Sequence, residues 1–201
     1  MTVATPEAPP AALPPRKPRK IFLVVGLVVA VALGIGLFTS IGTSKSSGPP
    51  VAGDPVPSFT ASLVNSSGTV RVSSDGGTSK RPTVLLFFGH WCTICRTELP
   101  SLAATVRSQV AHGGPLARIR VIGVDSVDQL SAARSFVTSS GVTFPVAYDG
   151  DASIMNGKFL FPGDPYAVFV SSNGIIDKVV GSAISPSAFR ADERALIPSG
   201  S

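Results

Sequence analysis

Thr83-Val84-Leu85-Leu86-Phe87-Phe88-Gly89-His90-Trp91-Cys92-Thr93-Ile94-Cys95-Arg96-Thr97-Glu98-Leu99-Pro100 is the stretch whose reading decides the fold. Residues 83 to 88 are β-branched, aliphatic or aromatic without a break, which is the composition of a buried strand. Past the cysteines, apolar residues recur at Ile94, Leu99, Leu102, Ala103, Val106 and Val110, a spacing that lays them along one face of a helix. The sequence therefore predicts that a strand ends and a helix begins at Cys92.

Cys92 and Cys95 are the only two cysteines in the 201 residues. At a helix N-terminus the unpaired backbone N–H groups and the positive end of the dipole favour a thiolate over a thiol. A second cysteine one turn on is placed to attack a mixed disulfide formed by the first. This suits two-electron exchange, with Cys92 as the exposed nucleophile and Cys95 as the more buried resolving thiol. Two other readings compete. A structural zinc site needs four ligands, and His90 and His112 lack the close spacing that would complete one. An inert disulfide would close too small a loop to stabilise much by chain entropy.

The charge balance is modest. The net charge is +5, and four of the 17 basic residues crowd into Arg16-Lys17-Pro18-Arg19-Lys20. The others are dispersed, so no nucleic-acid-binding face is indicated. Two cysteines supply no disulfide framework, which leaves stability to an ordinary core.

Residues 1–20 are Pro- and Ala-rich and read as a disordered basic tail in the cytoplasm. From Ile21 to Ile41 no residue is charged, long enough to span a hydrocarbon layer of about 30 Å as a helix. A cleaved signal peptide is the rival, although its apolar region is shorter, about 7–15 residues. Basic residues flank the N-terminal side of this run, against Lys45 alone on the other side. The positive-inside rule thus puts the remainder outside the cell membrane, where thiol-disulfide enzymes meet disulfides. The expected organisation is a tail over 1–20, a single-pass transmembrane anchor over 21–42, a Ser/Gly/Pro-rich linker over 43–56 and a folded domain over 57–198.

Within the domain, 59–64 and 69–72 flank an Asn/Ser/Gly turn and predict a hairpin. A second buried strand is expected over 119–124, a helix over 128–139, an extended segment over 142–148 and a short helix over 151–159. Strands over 166–170 and 175–180 join at Asn173-Gly174, a strong hairpin signal, and a helix over 187–197 closes the domain. Strands alternating with helices and ending in a hairpin predict a layered α/β sheet with helices on both faces.

At Trp91-Cys92-Thr93-Ile94-Cys95, Arg96, Glu98 and Leu99-Pro100, with the apolar strand before them, the chain resembles the thioredoxin fold and more closely the TlpA/ResA group of membrane-anchored thiol-disulfide oxidoreductases. The resemblance implies an α/β, thioredoxin-like fold with a central mixed sheet flanked by helices and an N-terminal β-hairpin addition, here preceded by one transmembrane helix. It implies that Pro165 is a cis-proline facing the cysteines, and it places Trp91, Asp164 and Pro165 on the substrate-binding side. It also implies that Glu98 lies near the dithiol and exchanges a proton with Cys95. Thioredoxin itself has an acid in the lead-in strand where this chain has Leu86.

Two departures stand out. Ile94 occupies the position before the second cysteine, where much of the group has Pro or His, which leaves the direction of exchange open. His90 next to Trp91 is also unusual, and reads either as a group that favours the thiolate or as a solvated turn residue. The expected function is an extracytoplasmic disulfide reductase, in cytochrome c maturation by resemblance. Its partners would be protein disulfides or dithiols, apocytochrome c among them, and a membrane dithiol donor. No cofactor or metal is required. The alternatives are a disulfide-forming oxidant and a non-catalytic binding module; a peroxidase of the peroxiredoxin type fits less well, because Cys92 lacks the Pro-X-X-X-Thr-like setting.

Overall fold

Strand β3 (Thr83–Phe88) is buried at every residue and forms the middle of the structure. The computed structural model describes residues 48–75 and 80–197. The tail expected over 1–20, the anchor over 21–42 and the first part of the linker lie outside the described residues. Among those described, no helix is long and apolar enough to cross a membrane.

Around β3 the elements are β1 (Phe59–Ser62), β2 (Thr69–Val72), helix α1 (Thr93–Ala111), β4 (Arg120–Ser126), helix α2 (Leu130–Ser139), β5 (Val146–Asp149), β6 (Tyr166–Val170), β7 (Ile176–Val180) and helix α3 (Pro186–Ala195). The main sheet has the order β5-β4-β3-β6-β7. β3 runs parallel to β4 and antiparallel to β6, so the sheet is mixed. The fold is a thioredoxin-like α/β one. The hairpin β1-β2 is a separate two-stranded sheet. It docks on β5 through a Leu63–Ala147 bridge and through Asn65, whose amide donates to the Phe144 carbonyl and accepts from the Val146 N–H.

Alternation along β3 divides the core in two. Val84, Leu86 and Phe88 point to one side, with Leu99 and Leu102 of α1, Phe136 of α2 and Phe189 of α3. Leu85 and Phe87 point to the other, with Phe59, Phe159 and Phe161. Each fully buried side chain of this size contributes about 1.5–3 kcal/mol. The expectation of helices on both faces is corrected here: α1, α2 and α3 all pack into the first cluster. The second is covered by the hairpin and by a coil of turns.

That coil replaces the short helix expected over 151–159. The Asp149 carboxylate accepts the N–H groups of Ile154 and Met155, both at 2.8 Å, and backbone bonds alternate between four- and five-residue spans. Ile154 and Met155 still face inward, wrapped around a carboxylate instead of along a helix. α2 starts at Leu130 and not at Asp128, because Val127 takes a left-handed φ of 60° and the Asp128 side chain is engaged elsewhere. α1 runs through Pro100 without ending and stops before Gly113, whose φ is 66°. α3 begins at Pro186, capped by the Ser185 hydroxyl accepting the Ala188 N–H at 3.2 Å.

Candidate active site

Cys92 is the N-cap of α1, in extended conformation, and its Sγ accepts the Cys95 N–H at 3.1 Å. The apolar run of β3 ends at Phe88, a three-residue loop follows, and the helix pattern starts one residue past Cys92. The first turn of α1 holds no acidic residue, so nothing there offsets the positive end of its dipole. A disulfide joins Cys92 to Cys95, with Cα atoms 5.2 Å apart. Cys92 keeps 5% of its surface and Cys95 1%. The ranking is the one expected, but Cys92 is less exposed than the word nucleophile suggests, since in this state each sulfur covers the other.

Trp91 and Ile94, on either side of Cys92, are exposed and give the rim an apolar surface. The Trp91 indole Nε1–H donates to the Ser126 carbonyl at 2.9 Å, which anchors the ring to the end of β4. Gly89 allows this approach. A Cβ there would collide with the indole and lie 2.9 Å from the Ser126 oxygen.

Beside the disulfide runs a small cleft lined by Cys95, Glu98, Leu99, Pro165, Tyr166 and Ile184. Glu98 and Pro165, placed near the cysteines from sequence, thus share one cleft with Cys95. The Asp164–Pro165 peptide bond is cis. Tyr166 behind it stacks on Phe161 at a 3.8 Å centroid distance. Glu98 is half-buried, and its Oε1 accepts the Ile184 N–H at 2.5 Å. Burial pushes its pKa up, opposed by that hydrogen bond. A carboxyl so placed is able to take or return a proton in a cleft shared with a thiol.

Asp164 is turned differently from its expected role. Both its carboxylate oxygens are buried and without a hydrogen-bond partner, so the side chain is not offered to a substrate. It belongs to a group that sequence reasoning missed. Asp125, Asp128 and Asp149 are buried at 0%, 4% and 1% exposure. The one signal was a charged residue at the end of the apolar run 119–124. Asp128 accepts the His90 backbone N–H at 2.7 Å and also bonds its ring Nδ1. His90 is therefore a held loop residue, half exposed on the other side. Among the described residues no group of three or more His, Cys, Asp or Glu side chains is arranged to hold a metal ion.

The sequence model of the AhpC/TSA family matches residues 52–179. The chain is 26% identical to the thiol-disulfide oxidoreductase ResA of Bacillus subtilis over 174 residues, 86% of this chain and 90% of ResA. It is 29% identical to the soluble secreted antigen MPT53 of Mycobacterium tuberculosis over 147 residues, 73% of this chain and 76% of MPT53. The structure of MTB dsbF, in mixed oxidised and reduced forms, superposes with a TM-score of 0.58 at 25% identity, covering 69% of this chain and 95% of that one.

Proposed function

The chain belongs to the AhpC/TSA family and is a thiol-disulfide oxidoreductase of the ResA type, and from that premise we propose that it works outside the cytoplasm as a disulfide reductase. The observation that carries this reading is the Cys92 sulfur at the head of α1, bonded to the Cys95 N–H beside the cleft of Glu98 and Pro165. In the reduced enzyme the Cys92 thiolate attacks one sulfur of a partner disulfide, and the partner's other sulfur leaves as a thiolate. Cys95 then attacks Cys92 Sγ, releasing the partner's second thiolate. Two electrons have passed to the partner, and the enzyme is left with the Cys92–Cys95 disulfide. Glu98 takes the proton that Cys95 loses. A membrane dithiol donor restores the reduced form. The backbone at Pro165 pairs with an extended stretch of the partner, as a strand edge does, and Trp91 offers it an apolar rim.

The uncharged run from Ile21 to Ile41 supports a membrane anchor and export of the domain, and the likeness to a soluble secreted relative supports export alone. Keeping the haem-binding thiols of an apocytochrome c reduced is the substrate assignment implied by the resemblance of the residues around Cys92 to the TlpA/ResA group.

One observation favours a second reading. The helix terminus and the Cys95 N–H both stabilise a Cys92 thiolate, and a stabilised reduced form makes a stronger oxidant. The reduction potential of the purified protein decides between the two. A value near about −270 mV makes it a reductant, and one near about −120 mV makes it a disulfide-forming oxidant of exported proteins. Full activity in cells after Cys92→Ser would contradict both and leave a binding module.

A further inference from the structure

Four carboxyl groups converge beneath the loops that frame the dithiol. Asp125 pairs in register with Phe88, the last residue of β3, and so lies under the loop that leads to Cys92. Around it stand Asp128 from the loop after β4, Asp149 from β5 and Asp164 from the loop before β6. His90, from the loop after β3, reaches the group through Asp128, and the Tyr148 hydroxyl donates to the Asp128 carbonyl oxygen at 2.9 Å.

The four differ in what satisfies them. Asp149 accepts from the N–H groups of Ile154 and Met155 and from the hydroxyls of Ser126 and Ser153. Asp128 is taken up by His90. Asp125, fully buried, and Asp164 have no hydrogen-bond partner on any carboxylate oxygen. Two facing carboxylates are both acceptors and only repel; with one proton the Asp125–Asp128 contact becomes an O–H···O bond. An uncompensated buried carboxylate is costly enough that something must neutralise it. With no metal-holding arrangement among the described residues, the ligand that fits is a proton.

We propose that Asp125 and Asp164 are positioning residues for the exchange reaction: holding protons, they remove the repulsion among the buried carboxyl groups and let the Asp164–Pro165 loop pack as a clasp at the end of β4, beside the loop carrying His90, Trp91 and Cys92. The clasp sets the edge on which an extended partner lies. It deepens the exchange reading above and rests on it. Burial, then the neighbouring Asp128, pushes Asp125 up to about 8. Burial, then Asp128 and Asp149, pushes Asp164 up to about 7. As pH rises through this range the clasp loses its protons, like charges accumulate, and the two loops separate.

Trp91 is the only tryptophan of the protein, and its indole sits on Ser126 beside the group. The test is a fluorescence titration of the full-length protein in its disulfide form, where no thiol titrates. A transition centred between about pH 7 and about pH 8 is expected, removed or displaced by Asp125→Asn and by Asp164→Asn and retained in His90→Asn. In parallel, the rate toward an extended cysteine-peptide disulfide, divided by the rate toward hydroxyethyl disulfide, falls severalfold from about pH 6 to about pH 9 in the wild type and stays level in Asp125→Asn. Should Asp125→Asn fail to fold, Asp164→Asn carries both measurements. A transition absent from the wild type, unmoved by both substitutions, or abolished by His90→Asn alone overturns the clasp. Because the titration requires no turnover, its failure is distinct from failure of the exchange reading.

Discussion

Glu98 and Ile184 meet across 86 positions of sequence, the carboxylate oxygen of one accepting the backbone N–H of the other at 2.5 Å. This bond ties the second turn of α1 to the segment before α3 and fixes the carboxyl in the cleft that Cys95 and Pro165 share. Glu98→Gln keeps an acceptor for Ile184 while removing the ionisation. Burial raises the Glu98 pKa, so as pH rises through that raised value the group becomes a base able to accept the Cys95 proton. The wild-type exchange rate should climb with this ionisation. Glu98→Gln should lose that limb and run roughly tenfold or more slower, with its melting temperature little changed. A variant with the wild-type pH profile would remove Glu98 from the proton transfer.

Asp149 should behave as a structural carboxylate. Asp149→Ala leaves the buried N–H groups of Ile154 and Met155 without their acceptor. The coil over 151–159 is built on that acceptor, so the cost should be about 3 kcal/mol or more, read as a lower urea midpoint. An unchanged midpoint would mean that water reaches these amides.

Asp125 should act in the opposite sense. Its folded pKa, about 8, lies above that of an unfolded aspartate, so the native state holds the proton more tightly. Stability therefore falls as pH rises from about 4 to about 8, and the protonated form is the stable one. Melting temperatures across that range should decline in the wild type and stay flatter in Asp125→Asn, which should be the more stable protein at the alkaline end. Parallel curves would show that Asp125 is not held neutral.

Gly89→Ala tests the seat of Trp91. The added Cβ meets the indole and the Ser126 carbonyl, and neither is free to retreat without breaking the bond between them. A loss of about 1–3 kcal/mol is expected. Trp91 fluorescence should shift with it, and unchanged emission would mean that the loop absorbs the methyl group.

What was legible in the sequence was local. The unbroken apolar run of β3 and the helical spacing after Cys95 needed no partner to be recognised, and Asn173-Gly174 marked the last hairpin, while Pro165 before it was placed by the family resemblance. The acidic group was hidden for the opposite reason. Asp125, Asp149 and Asp164 end or precede three different strands, and nothing local says that the sheet order brings them together. The same cause undid the short helix: the spacing of Ile154 and Met155 fits a helix, but the carboxylate that reorganises those amides comes from β5. The sidedness of the helices was likewise a tertiary fact, set by which face of β3 each one finds.

The central claim is that the sulfur of Cys92 is ionised and reachable once the disulfide opens. Timed alkylation of the reduced protein by iodoacetamide across pH, with the modified residue located by mass spectrometry, tests it most directly. The account predicts that Cys92 is labelled first and at neutral pH, with a midpoint well below the free-thiol value of about 8.5. Labelling that begins only near that free value, or that reaches Cys95 before Cys92, would contradict it.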